Sequence, residues 1–396
     1  MHLIRSLPEW PAVPIRDLCS KVTSGGTPSR KEPFFYSTSG VPWLKTQEIR
    51  DEIIWDAEEH ITEAGLARSS AKLLPANTVL VAMYGATAGK LAILGSPMAC
   101  NQACCALIVD PSRADYRFLY YSLLAGRDAL ISLANGAAQQ NLSVGVIANA
   151  SIPVPSLVEQ KAITALLGGL DDKIAVNGRV ARTAEQILRM NFAAVSSAAP
   201  DTIRIDELGV QVRDGVNPSA INGTEPYVGL EHVPRKSIWL DSWGNASEVS
   251  SVKTSFRAGD FLFGKLRPYF HKVVLAPVDG VCSTDIIVVR AVKETVGTWV
   301  LMSLSSDEVV AHATARSDGT RMPRTKWADL AEYEISWPGE KAAEEFHGVA
   351  QPLVNRVQAA SSESRRLAEL RDMLLPKLIS GELRIKDAEQ LVSDAV

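Results

Sequence analysis

The sequence lacks the long apolar runs that transmembrane helices require. None of its apolar stretches approaches the roughly 20 residues needed to cross a bilayer. The first ten residues, MHLIRSLPEW, contain no apolar core of a secretory signal before Pro8 and Glu9. These absences predict a cytoplasmic protein without a membrane partner.

Cysteine is scarce, with five residues among 396, and no two of them form a C-x-x-C pair. Cys100, Cys104 and Cys105 lie in or beside the stretch ACCALIV, which has the pattern of a buried strand. We therefore expect reduced thiols in the core. No further ligands at zinc-like spacing are visible, so no metal site is predicted.

A strong net charge is also missing. Lys and Arg number 41 against 45 Asp and Glu, which gives a net charge of −4. A protein that binds nucleic acid alone is usually basic, so DNA is not expected to be the only partner, although a local basic groove fits this balance. The composition, 46% apolar and 22% charged, is that of a globular protein, and 396 residues predict two or more domains.

Nucleotide-binding motifs are absent. The stretch YGATAGKL (84–91) approaches a phosphate-binding loop, but only three residues separate Gly85 from Gly89, and Leu91 stands where Ser or Thr would bind magnesium. One alternative is a hairpin turn with glycines at positive φ and a solvated Lys90. The other, which we favour, is that Lys90 contacts a DNA phosphate.

Methyl-transfer motifs are missing as well. NPSA (217–220) lacks the adenine-methylase signature of Asn or Asp, two prolines and an aromatic residue, and no G-x-G-x-x-G follows a strand. No methyl transfer is therefore expected from this chain itself.

The sequence repeats itself with a period of about 182 to 184 residues. For example, VPWLKTQEI (41–49) aligns with EPYVGLEHV (225–233), and Lys90 then matches Lys272. Each copy has about 140 residues of short alternating apolar runs, broken by Gly, Pro, Asn and Asp, and then a long helical segment. This pattern predicts two mostly β domains, each followed by a long helix.

The helical segments carry a heptad pattern. The first opens at PSLVEQ, where Ser156 and Glu159 have the spacing of a capping box. Apolar or small residues then recur in steps of four and three. The first seam is Ile163, Leu167, Leu170, Ile174, Asn177, Ala181, Ala184 and Leu188; the second is Phe346, Ala350, Leu353, Val357, Ala360, Ser364, Leu367, Leu370 and Leu374, ending near Pro376.

Two matching seams predict that the helices, each of about 30 residues, pair with each other. Opposite polarity is preferred because it lets two similar domains face outward from a pseudo-two-fold axis. Asn177 at a seam position either sets the register of this pair or marks a solvated seam end or a kink.

These motifs together resemble the specificity subunit of type I restriction-modification systems. They are TSGGTPSR (23–30) with GVPWLKTQEI (40–49), the junction PVPSLVEQKAI, and the closing LLPKLISGEL. The second junction departs from the pattern because Ala342 and Ala343 replace the Glu-Gln pair, although Glu340 still favours a helix start by charge.

The resemblance implies an α+β fold. It has two β-rich target-recognition domains related by a pseudo-two-fold repeat and separated by two long antiparallel helices that form a coiled coil. Recognition domains are expected at residues 1–155 and 196–338, a central helix at 156–195, and a C-terminal helix and tail at 339–396.

The resemblance also implies a non-catalytic role. Each recognition domain would read one half of a bipartite site in double-stranded DNA, while the helices set the spacing and dock two methyltransferase subunits; restriction subunits are further candidate partners. No cofactor is expected in this chain, because S-adenosylmethionine and ATP with magnesium belong to the partner subunits. The alternatives are a self-contained nuclease, acting through VRDGVNP or the Asp279–Asp285 region, and a coiled-coil scaffold without a DNA role.

Candidate DNA contacts are polar or basic residues in the matched loops. Gln and Asn suit adenine, and Arg suits guanine or phosphate. Residues 264–326 carry nine basic and six acidic residues, whereas 1–150 carry thirteen of each, so the second domain is the more basic. Trp43 is expected in the core. The candidates are Ser24, Thr27, Arg30, Lys31, Lys45, Lys90, Gln139, Gln140, Asn141, Arg267, Tyr269, Lys272, Arg321, Arg324 and Lys326.

Overall fold

The computed structural model describes residues 3–4, 10–135, 141–319 and 321–395. The chain divides by its internal contacts into two compact units. Unit 1 comprises Met1–Lys173 with Arg366–Val396, and unit 2 comprises Ile174–Arg365.

The elements up to the end of the first long helix are short strands and helices. The strands are β1 (Ala12–Pro14), β2 (Cys19–Ser24), β3 (Tyr36–Ser37), β4 (Val41–Leu44), β5 (Glu52–Ile54), β6 (His60–Ile61), β7 (Val79–Ala82), β8 (Leu91–Leu94), β9 (Ala99–Cys100), β10 (Cys104–Val109) and β11 (Ser151–Pro153). The helices are α1 (Ile15–Leu18), α2 (Glu63–Ala67), α3 (Tyr116–Ala125), α4 (Arg127–Asn135), α5 (Val144–Asn149) and α6 (Leu157–Ser197).

The elements that follow repeat this arrangement. The strands are β12 (Asp201–Arg204), β13 (Gly209–Val212), β14 (Gly215–Val216), β15 (Pro226–Val228), β16 (Gly244–Asn245), β17 (Lys253–Phe256), β18 (Phe261–Gly264), β19 (Val273–Leu275), β20 (Gly280–Cys282), β21 (Ile286–Ala291) and β22 (Glu334–Trp337). The helices are α7 (Ile205–Leu208), α8 (Gly297–Leu304), α9 (Asp307–Ala315), α10 (Trp327–Ala331), α11 (Glu340–Ser380) and α12 (Ile385–Ala395).

Four strands of the main sheet keep one order in both units, and unit 1 adds β5 at an edge. In unit 1 it is β2-β10-β7-β8-β5, and in unit 2 it is β13-β21-β18-β19. The second sheets also contain a matching parallel pair of strands. β4 pairs with β9 in unit 1, and β15 pairs with β20 in unit 2. The structure thus confirms the internal repeat that the sequence predicted.

The central strands of the main sheet are buried on both faces, as their continuous apolar sequences require. Alternate side chains enter different cores. In unit 1, Val79 and Val81 share a core with Phe118 of α3, whereas Leu80 shares another with Leu44 of β4. The main sheet is therefore a middle layer between helices and the second sheet.

The first long helix begins with the predicted capping box. Glu159 N donates to Ser156 Oγ at 3.3 Å, and Ser156 N donates to Glu159 Oε2 at 3.3 Å. These bonds satisfy donors that the first helical turn would otherwise leave without partners.

Removing this cap should weaken the helix. We expect Ser156→Ala to lower the free energy of unfolding by about 1 kcal/mol, the usual cost of losing a hydroxyl N-cap. Urea denaturation of the purified chain measures it. Ser197→Ala is the control, because that exposed hydroxyl bonds only Ala194 O of its own helix; an equal loss in both variants would contradict the capping role.

Both long helices exceed the predicted length. α6 and α11 each contain 41 residues rather than about 30, and α11 continues four residues past Pro376, to Ser380. The helix tolerates this proline because the flanking Leu375 and Leu378 are buried in the core of unit 1. The stop signal is Gly381, whose φ of +77° suits a helix C-terminus.

The two helices pair with opposite polarity within each unit. In unit 1, Ile163 near the start of α6 shares a core with Leu374 near the end of α11. In unit 2, Leu188 near the end of α6 shares a core with Phe346 near the start of α11. The antiparallel pairing predicted from the heptad seams is confirmed.

Asn177 ties the two helices together in unit 2. Its Nδ2 atom donates to Ala360 O at 3.2 Å, Glu363 Oε2 at 2.8 Å and Ser364 Oγ at 3.2 Å, all on α11. The side chain is 2% exposed. Such a buried amide favours one register of the pair, so the register interpretation fits better than a solvated seam end.

Candidate nucleic-acid interface

The stretch 84–91 forms the turn between β7 and β8, and its counterpart joins β18 to β19. Gly85 and Gly89 have φ of +75° and +81°, so the stretch forms the expected hairpin turn with glycines at positive φ. In unit 2 the matched positions are Arg267 and His271, with φ of +51° and +54°. A short 3₁₀ turn follows in both units. Two different sequences thus adopt one backbone shape.

Arg267 occupies a conformation that side chains rarely adopt. The left-handed region costs a residue with a Cβ roughly 1–2 kcal/mol. Its backbone N–H donates to Pro323 O at 2.7 Å, which holds the turn against the next loop. Its Nε atom is buried without a hydrogen-bond partner in the described structure. A strained, incompletely satisfied arginine on a loop is a candidate functional residue.

Residues 317–319 and 321–326 belong to a loop that lies beside this turn. Leu266 and Arg324 form an isolated antiparallel β-bridge, and Thr325 N donates to Lys265 O at 3.1 Å. Tyr269 is 51% exposed, and Arg321 is exposed as well. The structure therefore gathers the unit 2 candidates at one end of its main sheet.

Carboxylates accompany the arginines and lysines of this loop. Arg324 donates from Nε to Asp285 Oδ1 at 2.9 Å, and Lys326 lies 2.6 Å from Asp318. The hydrogen bond with Asp285 raises the pKa of Arg324 above its ordinary value. These pairs orient the cations, and both carboxylates are among the six acidic residues already counted in 264–326.

Lys272 is a partly buried candidate of unit 2. Its Nζ atom donates to Leu230 O, and burial lowers its pKa, with the nearby charge of Arg235 adding to the effect. The matched Lys90 differs, because it lies 2.9 Å from Asp51 with a side chain 45% exposed. Arg127 binds the same carboxylate. Asp51 thus anchors the unit 1 turn.

The polar loop of unit 1 holds a second shared carboxylate. Arg30 lies 2.7 Å from Glu59 and 4.2 Å above the Tyr36 ring, and Lys45 lies 3.1 Å from Glu59. The hydrogen bond from Arg30 lowers the pKa of Glu59. Trp43 is 2% exposed, which confirms its expected place in the core. Arg30 and Lys45 are therefore brought together.

The remaining unit 1 candidates vary in their surroundings. Ser24 O accepts from Lys72 at 2.9 Å, Thr27 donates to Gln102, and Lys31 is exposed. Asn141 is exposed just before buried Leu142. Gln139 and Gln140 lie outside the described residues.

The sequence interpretation missed the carboxylates that hold these cations. Asp51, Glu59 and Asp285 lie 39, 29 and 39 residues along the chain from Lys90, Arg30 and Arg324. No local spacing marks such pairs. The repeat contained no signal for them either, because Ala103 occupies the position that matches Asp285.

The cysteines are free thiols, as expected. Cys100, Cys104, Cys105 and Cys282 are buried, and Cys19 is partly buried. Burial raises the pKa of Cys105 and of Cys282 to about 12. Within the described residues, no group of three His, Cys, Asp or Glu side chains is arranged to hold a metal ion, and no helix is long and apolar enough to cross a membrane.

Neither carboxylate of the alternative nuclease site stands in a catalytic cluster. Asp279 accepts from Ala258 N at 2.8 Å, and Asp285 holds Arg324. Both carboxylates therefore have structural partners.

Comparisons with known proteins point to one family. A family model described as Type I restriction modification DNA specificity domain matches residues 8–186. The type I restriction enzyme MjaIX specificity subunit of Methanocaldococcus jannaschii is 22% identical over 96% of this chain and 94% of its own. The type I restriction enzyme EcoDI specificity subunit of Escherichia coli is 21% identical over 70% of this chain and 72% of its own.

A solved structure shares the fold. The type I restriction-modification system S subunit from M. genitalium matches with a TM-score of 0.60 and 16% identity, over 93% of this chain and 96% of that one. These matches confirm the resemblance to specificity subunits. Residues 8–186 of this chain therefore resemble a type I restriction modification DNA specificity domain.

Proposed function

We propose that this chain reads a bipartite site in double-stranded DNA on behalf of methyltransferase subunits. Residues 1–155 and 196–338 are the two target-recognition domains, and each reads one half-site. The observation that carries the proposal is the matched turn: the backbone shape is the same at Gly85 and at Arg267, but the side chains differ. Two readers of one design with different side chains suit two different half-sites.

The long helices suit the docking of the catalytic partners. On α6, Val176, Val180, Thr183, Ile187 and Met190 follow in steps of four and three, and Val176, Ile187 and Met190 are 40%, 40% and 72% exposed. This stripe borders a largely apolar groove of about 490 Å³ on the surface of unit 2. An exposed heptad stripe is the surface to which further helices bind.

The partners supply the chemistry. Two methyltransferase subunits, which bind S-adenosylmethionine, would dock on the helices, and restriction subunits using ATP and magnesium are further candidates. A chain with a net charge of −4 suits this division, because its DNA affinity is concentrated in local cationic loops and completed by partners. DNA as the ligand implies a cytoplasmic place of work.

The deciding experiment is co-expression with a cognate methyltransferase, followed by mapping of N6-methyladenine in the host genome. We expect a new motif of two short half-sites with a fixed gap, lost when this chain is omitted. Exchange of residues 1–155 for those of a relative should change one half-site only. A stable complex that adds no methylation would overturn the proposal.

Lys90 tests the phosphate contact in unit 1. Lys90→Ala should weaken DNA binding of the assembled complex equally for all sequences and reduce the salt slope by at most about one phosphate contact. Arg127 remains to neutralise Asp51, so folding should be preserved. Binding measured across a salt series gives the answer. A changed base preference, or an unchanged slope, would argue against the contact.

A further inference from the structure

Unit 2 contains a cleft whose lining includes none of the candidate DNA contacts. It lies among the end of α6, the junction of α8 with α9, and β22, and it has a volume of about 450 Å³. This volume falls in the roughly 300–1,000 Å³ range of binding clefts. Its lining includes Phe192, Ser303, Ser306, Tyr333 and Ile335.

The cleft has an apolar floor. Met302, Val309 and Ile335 are 2%, 1% and 7% exposed and belong to the core of unit 2. The carboxylates of Glu308 and Glu334 stand among the lining residues. An apolar floor with a polar rim suits a short apolar peptide segment.

The same place in unit 1 is occupied. Gly126 immediately precedes α4, as Ser306 immediately precedes α9. A Cβ built on Gly126 would lie 3.0 Å from Leu3 Cβ and 3.4 Å from Ile4 Cγ1, so these two residues rest on the helix junction. Leu3 is 6% exposed. The internal repeat therefore shows what kind of segment fills such a cleft.

A backbone hydrogen bond fixes this segment in unit 1. Leu3 N donates to Ser151 O at 2.9 Å, at the start of β11. Glu334 is the counterpart of Ser151. Ser151 begins β11 and pairs with Pro14, the last residue of β1, and Glu334 begins β22 and pairs with Arg204, the last residue of β12. Ile205 N donates to Tyr333 O, so the carbonyl of Tyr333 faces the paired strand. Carbonyl directions alternate along a strand, so the carbonyl of the next residue, Glu334, points away from β12. That carbonyl is placed to accept a bond from an incoming segment.

We propose that the unit 2 cleft receives an extended apolar segment of a methyltransferase subunit. The segment would place two neighbouring aliphatic side chains on the cleft floor and donate a backbone N–H to Glu334 O, as Leu3 and Ile4 do at Ser151. This inference rests on the proposed function, because it takes its occupant from the partner that docks on α6.

The position of the cleft on α6 supports this source. Ala193 and Ser197 line the cleft and follow Met190 by three and seven residues, so they lie on the next two turns beside it. Met190 ends the exposed stripe described above and is 72% exposed. A partner that covers this end of the stripe is within one helical turn of the cleft.

Photo-crosslinking in the assembled complex tests the proposal. A benzophenone amino acid at Ser196, which lines the cleft, should crosslink to the methyltransferase, and mass spectrometry should place the crosslink in an extended segment with adjacent aliphatic residues. The same group at Ala311, exposed on α9 outside the cleft, should give no such product. As a second measurement, Ser196→Trp should weaken methyltransferase binding about tenfold, while Ala311→Trp should not.

The outcomes separate the two proposals. An intact complex without a crosslink from Ser196, or a crosslink to a second copy of this chain, overturns the cleft assignment and leaves the DNA-reading function standing. A chain that assembles with no methyltransferase overturns both. Weaker binding by Ser196→Trp supports the assignment only if its melting temperature matches that of the wild-type chain; with a lowered melting temperature, the crosslink decides.

Discussion

Replacing Arg267 by glycine should leave unit 2 at least as stable while impairing recognition of its half-site. Arg267 is held at φ +51°, where unit 1 has Gly85. The change removes a left-handed strain of roughly 1–2 kcal/mol, partly offset by the backbone entropy that glycine loses on folding, about 0.5–1 kcal/mol. Loss of the guanidinium should cost about 1–3 kcal/mol at one base pair if it reads guanine.

A stable protein with poorer recognition would separate a reading role from a structural one. Denaturant unfolding gives the stability, and binding of the assembled complex to single-base variants of the site gives the recognition. His271→Gly is the matched control, because His271 shares the turn and the positive φ, but is 7% exposed and bonds Ser305 O at 2.9 Å. We expect that control to lower stability.

The opposite pattern would reject this interpretation. If Arg267→Gly destabilises unit 2 and leaves every base preference intact, Arg267 stabilises the loop through its side chain, which lies 5.9 Å from the centre of the Phe270 ring, and does not read DNA. Stability and base preference measured together therefore show whether the positive φ of Arg267 serves DNA recognition or the packing of the loop.

The repeat and the helices were predictable because they rest on hydrophobic periodicity. The seams on α6 and α11 are visible in the sequence as apolar residues three and four positions apart. The strands β7 and β18 are visible as short continuous apolar runs. The continuation of α11 past Pro376 was not predictable in this way. Its tolerance depends on burial of Leu375 and Leu378, which only the packed core supplies.

The cationic loops were predictable, but the partners of their side chains were not. Counting residues gives net +3 for 264–326, yet Arg324 and Lys326 are each held by a carboxylate. Lys272 turns to Leu230 O, whereas its match Lys90 turns to Asp51. Such partners come from distant segments, so a phosphate must share or displace them when DNA binds. The net charge of +3 already includes Asp285 and Asp318, so these pairs change how the cations are oriented and not the charge that the sequence gives.

Substitutions in the Arg324–Asp285 ion pair should also have a large effect on DNA recognition. Asp285 accepts from Nε and Nη2 of Arg324, at 2.9 and 3.4 Å, which fixes the plane of the guanidinium. An arginine held in one plane can read guanine through two parallel bonds. Arg324→Lys keeps the charge but loses the planar fork, so it should cost about 1–3 kcal/mol at one base pair and leave non-specific binding unchanged.

Asp285→Asn should act differently. It removes a negative charge beside the DNA, so non-specific binding should tighten and the salt slope should steepen by up to about one. Because Arg324 is then no longer held by a charged partner, discrimination at the same base pair should fall. Salt-dependent binding to the correct site and to single-base variants measures both quantities.

The pair of variants distinguishes base reading from phosphate contact. If Arg324→Lys weakens binding to all sequences equally, or leaves all of them unchanged, Arg324 does not read a base. If instead Arg324→Lys and Asp285→Asn relax the same base pair while moving non-specific affinity differently, the carboxylate is a positioning residue for the arginine. That outcome would explain why a DNA reader of negative net charge places acidic groups within its own cationic loop.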